Sequence, residues 1–255
     1  MRFLDLTLAS LAENVALDEA LLLQAEAGEA GEALRSWEWP EPAIVLGAGC
    51  RLAEDVNEAA CRADGVPILR RASGGGTVLL GGGCLLYTLI LAYHRSPQLR
   101  GIKSSYGYIL EKIAAALTPL QPGIAWQGTS DLTVAGRKFS GNAQQRKRHY
   151  LLHHGSLLYA FALELVDRYL HMPTRRPEYR QDRSHEAFLT NLSAKAVELK
   201  RQLQTLWAAD LSPTHDRAAM LTGRGSESSV RDAVSRLVKQ LCAEKYEHPD
   251  WIRRR

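Results

Sequence analysis

Two short segments of the sequence combine glycine with fixed positive charge, as an anion-binding site requires. The first, residues 70–77, reads Arg-Arg-Ala-Ser-Gly-Gly-Gly-Thr. Three consecutive glycines let backbone N–H groups approach a phosphate or a carboxylate without Cβ interference, and the arginines add charge. The order of residues is neither that of a Walker A loop nor the GxGxxG of a dinucleotide site. A flexible turn between strands is the alternative interpretation.

The second segment, residues 128–144, reads GTSDLTVAGRKFSGNAQ and contains Lys138. A lysine in a glycine-flanked hairpin can hold its ammonium against a phosphate or a carbonyl oxygen, which stabilises the negative charge that grows during acyl transfer. If the segment is a strand, Arg137 points to the opposite face. An exposed basic hairpin is the alternative interpretation.

A third motif, HHGSLL at residues 153–158, follows these two. The ordered set RRASGGGTV, DLTVAGRKFSGNAQ and HHGSLL resembles the lipoate-protein ligase A family over residues 1–192. The resemblance implies an α+β fold with a mixed, largely antiparallel sheet and surrounding helices, similar to the biotin-protein ligase catalytic domain. It also implies a catalytic domain at 1–192, followed by a helical C-terminal appendage at 193–255.

The resemblance assigns residues to an active site. Lys138 is the implied catalytic residue, contacting the acyl carbonyl and the phosphate. The residues implied to bind the acyl group and its adenylate are Arg70, Arg71, Ser73, Gly74, Gly75, Gly76, Thr77, Asp131, Gly141, His154 and Gly155. No metal site is expected at His153 and His154, because no carboxylate or cysteine at ligand spacing accompanies them. On a strand, one of this pair faces the core.

The implied reaction is an ATP-dependent ligation. The carboxylate of lipoate or octanoate attacks the α-phosphate, pyrophosphate leaves, and a carrier lysine takes the acyl group from the acyl-AMP. ATP is then a co-substrate, and Mg²⁺ is expected with it. The implied partner is a lipoyl carrier domain, of the glycine-cleavage H protein or 2-oxoacid dehydrogenase E2 type. Because residues 193–255 are few for the accessory domain of common ligases, the need for a separate accessory protein stays open.

The chain departs from the ligases after the glycine loop. Where they carry Val-Phe-His-Asp-x-Gly-Asn, this chain has VLLGGGC at 78–84. Octanoyl and lipoyl transferases of the same superfamily form a cysteine thioester, but the two places that would carry it, 126–130 and 151–153, contain no cysteine. Cys84 is therefore a possible nucleophile, against its interpretation as a small buried strand residue. An ATP-independent transferase between carrier proteins and a non-catalytic acyl-binding homologue stay open as alternatives.

Composition and cysteine spacing are not typical of several other classes of protein. The net charge of +4 is too small to predict a nucleic-acid-binding face. The four cysteines form no CxxC pair, so reduced thiols and a cytoplasmic location are expected. The N-terminus does not have the pattern of a secretory signal, and no apolar run approaches the roughly 18 residues of a membrane span.

Hydrophobic periodicity predicts the elements that position these motifs. A helix with Ser10 as its N-cap and Glu13 completing a capping box is predicted at 11–27. The other predicted helices are 56–63, 102–117, 162–169, 193–209 and 230–245. The predicted strands are 34–39 and 43–46 around a turn, 68–71, 84–92 covered on both faces, 132–134 and 137–140 as a hairpin, and 156–161, with a polar loop at 211–229.

Overall fold

The computed structural model describes residues 1–174, 176–209 and 227–254. The strands within these ranges are β1 Arg2–Asp5, β2 Ala33–Glu38, β3 Ala43–Leu46, β4 Ile68–Arg70, β5 Val78–Leu80, β6 Cys84–Ala92, β7 Ile124–Gln127, β8 Asp131–Val134, β9 Arg137–Arg146 and β10 Tyr150–Leu158. The helices are α1 Leu11–Glu26, α2 Leu52–Asp55, α3 Glu58–Asp64, α4 Ile102–Leu117, α5 Leu165–Tyr169, α6 His185–Phe188, α7 Ala196–Ala209, α8 Glu227–Leu241 and α9 Pro249–Arg253.

The strands form two sheets. The larger sheet has seven strands in the order β1-β2-β6-β10-β9-β8-β7, and only its β1–β2 pair is parallel. The smaller sheet has the order β4-β3-β5, with β3 and β4 parallel. Helices pack around these sheets, and the predicted α+β class with a mixed, largely antiparallel sheet is confirmed.

Strand β6 divides the hydrophobic core into two clusters, because its successive side chains point to opposite faces. Leu86 and Ile90 join a cluster with α1, the small sheet and α8. Leu85, Leu89 and Leu91 join a second cluster with α4 and α7. All nine residues of β6 are buried, so the prediction of a strand covered on both faces is confirmed.

Helix α1 begins with the predicted capping box. The Glu13 N–H donates to Ser10 Oγ at 3.1 Å, and the Ser10 N–H donates to Glu13 Oε2 at 3.0 Å. These bonds satisfy two backbone groups that the helix itself cannot pair. Helix α1 is buried over most of its length, and the side chain of its residue Asp18 lines the cavity described below.

The predicted strands on the two sides of the turn at 40–42 are confirmed, and they belong to different sheets, β2 to the large one and β3 to the small one. One predicted strand boundary was wrong: β10 begins at Tyr150 rather than at residue 156, because its pairing with β6 and β9 includes the polar residues His153, which is buried, and His154, which lines the cavity described below. The predicted hairpin of β8 and β9 is confirmed.

The helices beyond residue 192 pack directly on the rest of the protein. Helix α7 inserts Leu199, Leu203 and Trp207 into the second core cluster. Val238 of α8 and Tyr246 of the π-helical turn after it join the first cluster. The boundary at 192/193 stays a prediction, and most of the predicted loop at 211–229 lies outside the described residues. Among the described helices, none has the length and apolar character needed to cross a bilayer.

Candidate active site

A cavity opens between α1, the glycine loop and strands β9 and β10. Of the predicted site residues, the structure brings Arg71, Gly75, Gly76, Thr77, Lys138, Gly141, His154 and Gly155 together in its wall. Its other lining residues are Val15, Asp18, Trp37, Val45, Val78, Leu80, Leu86, Tyr87, Ser130, Asn142, Ala143 and Ser156. One part of the wall is therefore apolar, and the remainder carries opposite charges and hydrogen-bonding groups.

The glycine loop takes a conformation that few residues could adopt at its centre. Gly75 has φ +80°, and a Cβ atom there would lie 3.1 Å from Arg71 Nη2 and 3.3 Å from Ala143 Cβ. Glycine is suited to this position because it adopts positive φ without steric cost. The loop can therefore lie directly on the Arg71 guanidinium.

Arg71 is a buried cation that meets only uncharged acceptors. Its guanidinium donates to Ser73 Oγ and to three carbonyl oxygens, those of Val45, Gly74 and Gly76, at 2.7–3.1 Å. Burial lowers the pKa of Arg71 to about 10, so the side chain stays charged at neutral pH. Within the described ranges no carboxylate forms an ion pair with it. Its charge is thus available to an anion in the cavity.

Lys138 lies on β9 and extends its ammonium toward the cavity. Its Nζ lies 2.8 Å from Asp131 Oδ1, and the Tyr179 hydroxyl donates to the other carboxylate oxygen at 2.7 Å. A Cβ at Gly141 would come within 2.9 Å of Lys138 Cε and Nζ, so glycine is needed there for the side chain to lie along the strand. Asp131 contacts Lys138 and is not itself part of the cavity wall.

A β-bulge sets the direction of the Lys138 side chain. Leu132 pairs with Ser140 while the next residue, Thr133, pairs with Lys138, which leaves Phe139 as an extra residue of β9. Such a bulge changes the strand's local twist and redirects neighbouring side chains. Phe139 is fully buried in the second core cluster, and Lys138 faces the cavity.

His154 connects α1 to the glycine loop. Its Nδ1 lies 3.1 Å from Asp18 Oδ2, and its Nε2 lies 2.6 Å from Ser73 Oγ. Ser73 itself is buried behind the cavity wall, and Gly74 beside it is exposed and also lies outside the wall. The neighbouring His153 faces the core, where burial lowers its pKa to about 3 and keeps it neutral. The expectation that one histidine of the pair faces the core is confirmed.

Asp18 is a buried carboxylate held between two partners. Burial alone would raise its pKa, but Arg35 and His154 more than offset that effect and hold the pKa below its ordinary value. Arg35 Nη1 lies 2.7 Å from Asp18 Oδ1, and the Arg35 side chain is fully buried. Asp18 is therefore ionised at neutral pH.

The structure does not bring Arg70 to the cavity, contrary to expectation. Its side chain points the other way, where its guanidinium donates to the carbonyl oxygens of Gly47, Cys50, Trp251, Ile252 and Arg254 at 2.7–3.1 Å. Arg70 and Arg71 are adjacent residues at the end of a strand, so their side chains leave it in opposite directions. Arg70 anchors the base of the glycine loop to the C-terminal helices.

Cys84 is also absent from the cavity wall. It is 1% exposed at the start of β6, and burial raises the pKa of its thiol to about 12. The nucleophile in thiol chemistry is the thiolate, which this environment disfavours. The other cysteines, Cys50, Cys61 and Cys242, do not line the cavity either. The possible role of Cys84 as a nucleophile thus has no support in the geometry.

Replacing Cys84 by Ser is expected to leave acyl transfer within about two-fold of wild type, because a residue outside the cavity has no part in binding or chemistry. The buried hydroxyl should lower the free energy of unfolding by about 1–2 kcal/mol. Initial rates and urea unfolding would measure the two effects. A complete loss of activity in a folded variant would restore Cys84 as a nucleophile.

Several residues of the wall were not predicted from the sequence. Asp18, Trp37 and Leu86 come from α1, β2 and β6, far along the chain from either glycine-containing segment. In the sequence, an acidic residue such as Asp18 on a long helix cannot be told apart from a residue that faces solvent. Asn142 could have been predicted, because it lies in the same sequence segment as Lys138. Its side chain accepts a hydrogen bond from the Tyr87 hydroxyl and donates one to the Ser130 carbonyl.

Known proteins of similar sequence and fold share this architecture. The family described as the lipoyl protein ligase A/B catalytic domain matches residues 10–205. Octanoyltransferase LipM of Carboxydothermus hydrogenoformans is 29% identical, with 98% of this chain and 97% of the relative covered. The structure of a bi-partite lipoate protein ligase from Thermoplasma acidophilum superposes with a TM-score of 0.78 at 19% identity, covering 99% of this chain and 95% of that one.

A lipoate-protein ligase A bound with ATP superposes with a TM-score of 0.77, also at 19% identity, covering 99% of this chain and 98% of that one. At such identities the two solved structures establish the fold. The match to the family covers more than half of the sequence and includes all three motifs. The chain therefore belongs to the family of lipoyl protein ligase A/B catalytic domains.

Proposed function

We propose that this protein is a lipoate-protein ligase-like enzyme that activates lipoate or octanoate as an acyl-adenylate and transfers the acyl group to a lysine of a lipoyl carrier domain. The observation that carries this proposal is a cavity with two cations and no thiol in its wall. Arg71 and Lys138 line it, and none of the four cysteines does. The nearest to the glycine loop, Cys50, donates its thiol to the Gly75 carbonyl oxygen at 3.4 Å, and burial raises its pKa.

The missing thiol bears on how the acyl group is activated. A transferase that stores the acyl group as a thioester needs a thiol in reach of the substrate carbonyl. An adenylate needs no covalent link to the enzyme, because ATP supplies the activation. The site then has to bind the acyl phosphate and stabilise the charge that develops when the lysine attacks.

The two cations suit that task. The Arg71 guanidinium and the loop glycines Gly75 and Gly76 form one side of the polar wall, and the Lys138 ammonium lies in the same wall. The adenylate phosphate would lie against the loop, and the acyl carbonyl oxygen would receive the Lys138 ammonium. The apolar lining, with Trp37 and Leu86, would hold the hydrocarbon chain.

Mg²⁺ enters this proposal with ATP. Within the described residues, no group of three His, Cys, Asp or Glu side chains is arranged to hold a metal ion. Asp131 has one oxygen on Lys138 and the other on the Tyr179 hydroxyl. The ion would therefore be held chiefly by phosphate oxygens and water, as Mg²⁺ often is with nucleotide substrates.

Pyrophosphate release tests the proposal directly. The purified protein would be incubated with lipoate or octanoate, ATP and Mg²⁺, with and without a lipoyl carrier domain. Pyrophosphate release and a carrier mass increase of one acyl group are expected. A reaction without lipoate or octanoate is the control for simple ATP hydrolysis. A reaction with a second protein fraction added tests the need for an accessory subunit. Acylation of the carrier that proceeds equally without ATP would contradict the ligase.

The second candidate is an ATP-independent transferase that moves octanoate or lipoate between carrier proteins. It is supported by the relatives named octanoyltransferase LipM. In this chain the carrier lysine would have to attack the donor thioester directly, with Lys138 on the carbonyl oxygen. Octanoyl carrier protein supplied without ATP is the matching substrate, and its consumption together with carrier acylation would favour this candidate.

A further inference from the structure

Three side chains from distant parts of the sequence form a continuous hydrogen-bonded chain at the cavity. Asp18 comes from α1, His154 from β10 and Ser73 from the glycine loop. Asp18 Oδ2 lies 3.1 Å from His154 Nδ1, and His154 Nε2 lies 2.6 Å from Ser73 Oγ. Asp18 and His154 both line the cavity. Acid, imidazole and hydroxyl thus follow one another in the order that proton transfer uses.

The direction of each hydrogen in this chain follows from its charged ends. The ionised Asp18 carboxylate can only accept, so the hydrogen between it and His154 lies on Nδ1, and the neutral imidazole carries none on Nε2. The Ser73 hydroxyl then donates its hydrogen to Nε2. Arg71 Nε, 2.9 Å from Ser73 Oγ, donates to that oxygen. One lone pair of Ser73 Oγ remains free to accept another proton.

Acyl transfer to a carrier lysine needs such a proton acceptor. A lysine ammonium, with an ordinary pKa of about 10.4, must lose a proton before its nitrogen can attack a carbonyl. Arg71 and Lys138 are cations and cannot accept it. Both carboxylate oxygens of Asp18 are engaged, one by Arg35 and one by His154. Among the titratable groups in the described wall, His154 is left as the base.

We propose that Ser73, His154 and Asp18 form a proton relay that deprotonates the incoming carrier lysine. Because Ser73 lies behind the cavity wall, the lysine ammonium gives a proton to Ser73 Oγ through one water, as the Ser73 hydroxyl proton moves to His154 Nε2. The neutral amine then attacks the acyl carbonyl, the amide bond forms and the bond to the leaving group breaks. Ionised Asp18 stabilises the imidazolium and acts as a positioning residue. This inference rests on the proposed acyl transfer.

Hydroxylamine separates this role from binding and folding. It is a small nucleophile that is largely unprotonated at neutral pH, so it attacks an activated acyl group without help from a base. The enzyme, lipoate, ATP and Mg²⁺ would be supplied either with hydroxylamine, to measure hydroxamate, or with a lipoyl carrier domain, to measure acylated lysine.

In Ser73→Ala and His154→Gln, carrier acylation should fall by about 10²-fold, the usual contribution of a general base, while hydroxamate formation stays within about three-fold of wild type. Ser104→Ala is the matched control, because the Ser104 hydroxyl is exposed, donates to the Gln98 carbonyl and does not line the cavity. It should change neither rate. Circular dichroism would establish whether each variant is folded. If Ser73→Ala does not fold, His154→Gln tests the relay by itself.

Two results would overturn the relay. A parallel fall of hydroxamate and carrier acylation would show that the residues act in binding or activation, and unchanged carrier acylation would show that no base is needed here. A wild-type protein that forms no hydroxamate would contradict the ligase itself, and the relay with it. Failure of the relay alone leaves wild-type hydroxamate formation intact.

Discussion

Lys138→Ala is expected to reduce acyl transfer by at least about 10²-fold, because in the proposed function its ammonium stabilises the charge that develops on the acyl carbonyl. The fold should survive. The Lys138 side chain is 27% exposed but its partner Asp131 only 8%, so the loss of the ion pair should cost about 1–3 kcal/mol, with the Tyr179 hydroxyl still donating to Asp131. Steady-state acylation of a carrier domain and thermal unfolding would measure the two effects.

Arg137→Ala is the matched control for this experiment. Arg137 precedes Lys138 on β9, but its guanidinium donates to the Glu186 carbonyl and is not part of the cavity wall. Its loss should leave the rate within about three-fold of wild type, as is usual for residues away from a site. If the Lys138 variant kept full activity, or the two variants lost equal activity, the assignment of Lys138 would be wrong.

Arg35→Met is expected to be the most destabilising single substitution near the site. It leaves the Asp18 carboxylate buried without its principal cation, and breaking a buried ion pair in this way costs about 3–5 kcal/mol. The Arg35 side chain also donates to the carbonyl oxygens of Leu6 and Asn14, which would lose these bonds. Urea unfolding would give the change in the free energy of unfolding.

A second substitution separates stability from activity in this pair. In Arg35→Met with Asp18→Leu, both charges are gone, so much of the lost stability should return. Carrier acylation should nevertheless stay low, because His154 has lost the carboxylate that stabilises its charged form. A double variant with full activity would exclude a functional role for Asp18. One as unstable as Arg35→Met would show that the buried charge is not the cause.

The predictable part of the site was the part encoded in contiguous segments. The glycine loop and the Lys138 hairpin each place glycine and charge within a few residues, and both segments line the cavity. Strand alternation also predicted that Arg137 and Lys138 separate to opposite faces. The same rule implies that only one of Arg70 and Arg71 reaches the cavity, but which one depends on how β4 is packed in the small sheet.

Asp18 shows why the remainder could not be predicted. In the sequence it is one of several acidic residues of α1. Its place in the site depends on contacts with Arg35 on β2 and His154 on β10, and these residues come near Asp18 only in the folded protein. The same limitation applies to β2 and β3. Their sequences are strand-like on both sides of a turn, but pairing with β6 or with β4 is decided by long-range packing rather than by local propensity.

The hydrogen bonds of Arg70 make the anchoring of the glycine loop depend on residues that are synthesised much later. Arg70 Nε donates to the carbonyl of Trp251, 181 positions later in the chain. The Gly47 and Cys50 acceptors precede Arg70, but a chain emerging from the ribosome makes β4 and the glycine loop long before the carbonyls at 251–254 exist, and contacts of such separation form slowly. Arg70 can therefore complete its hydrogen bonds only after α9 has been made, so the final anchoring of the loop is a late event in folding.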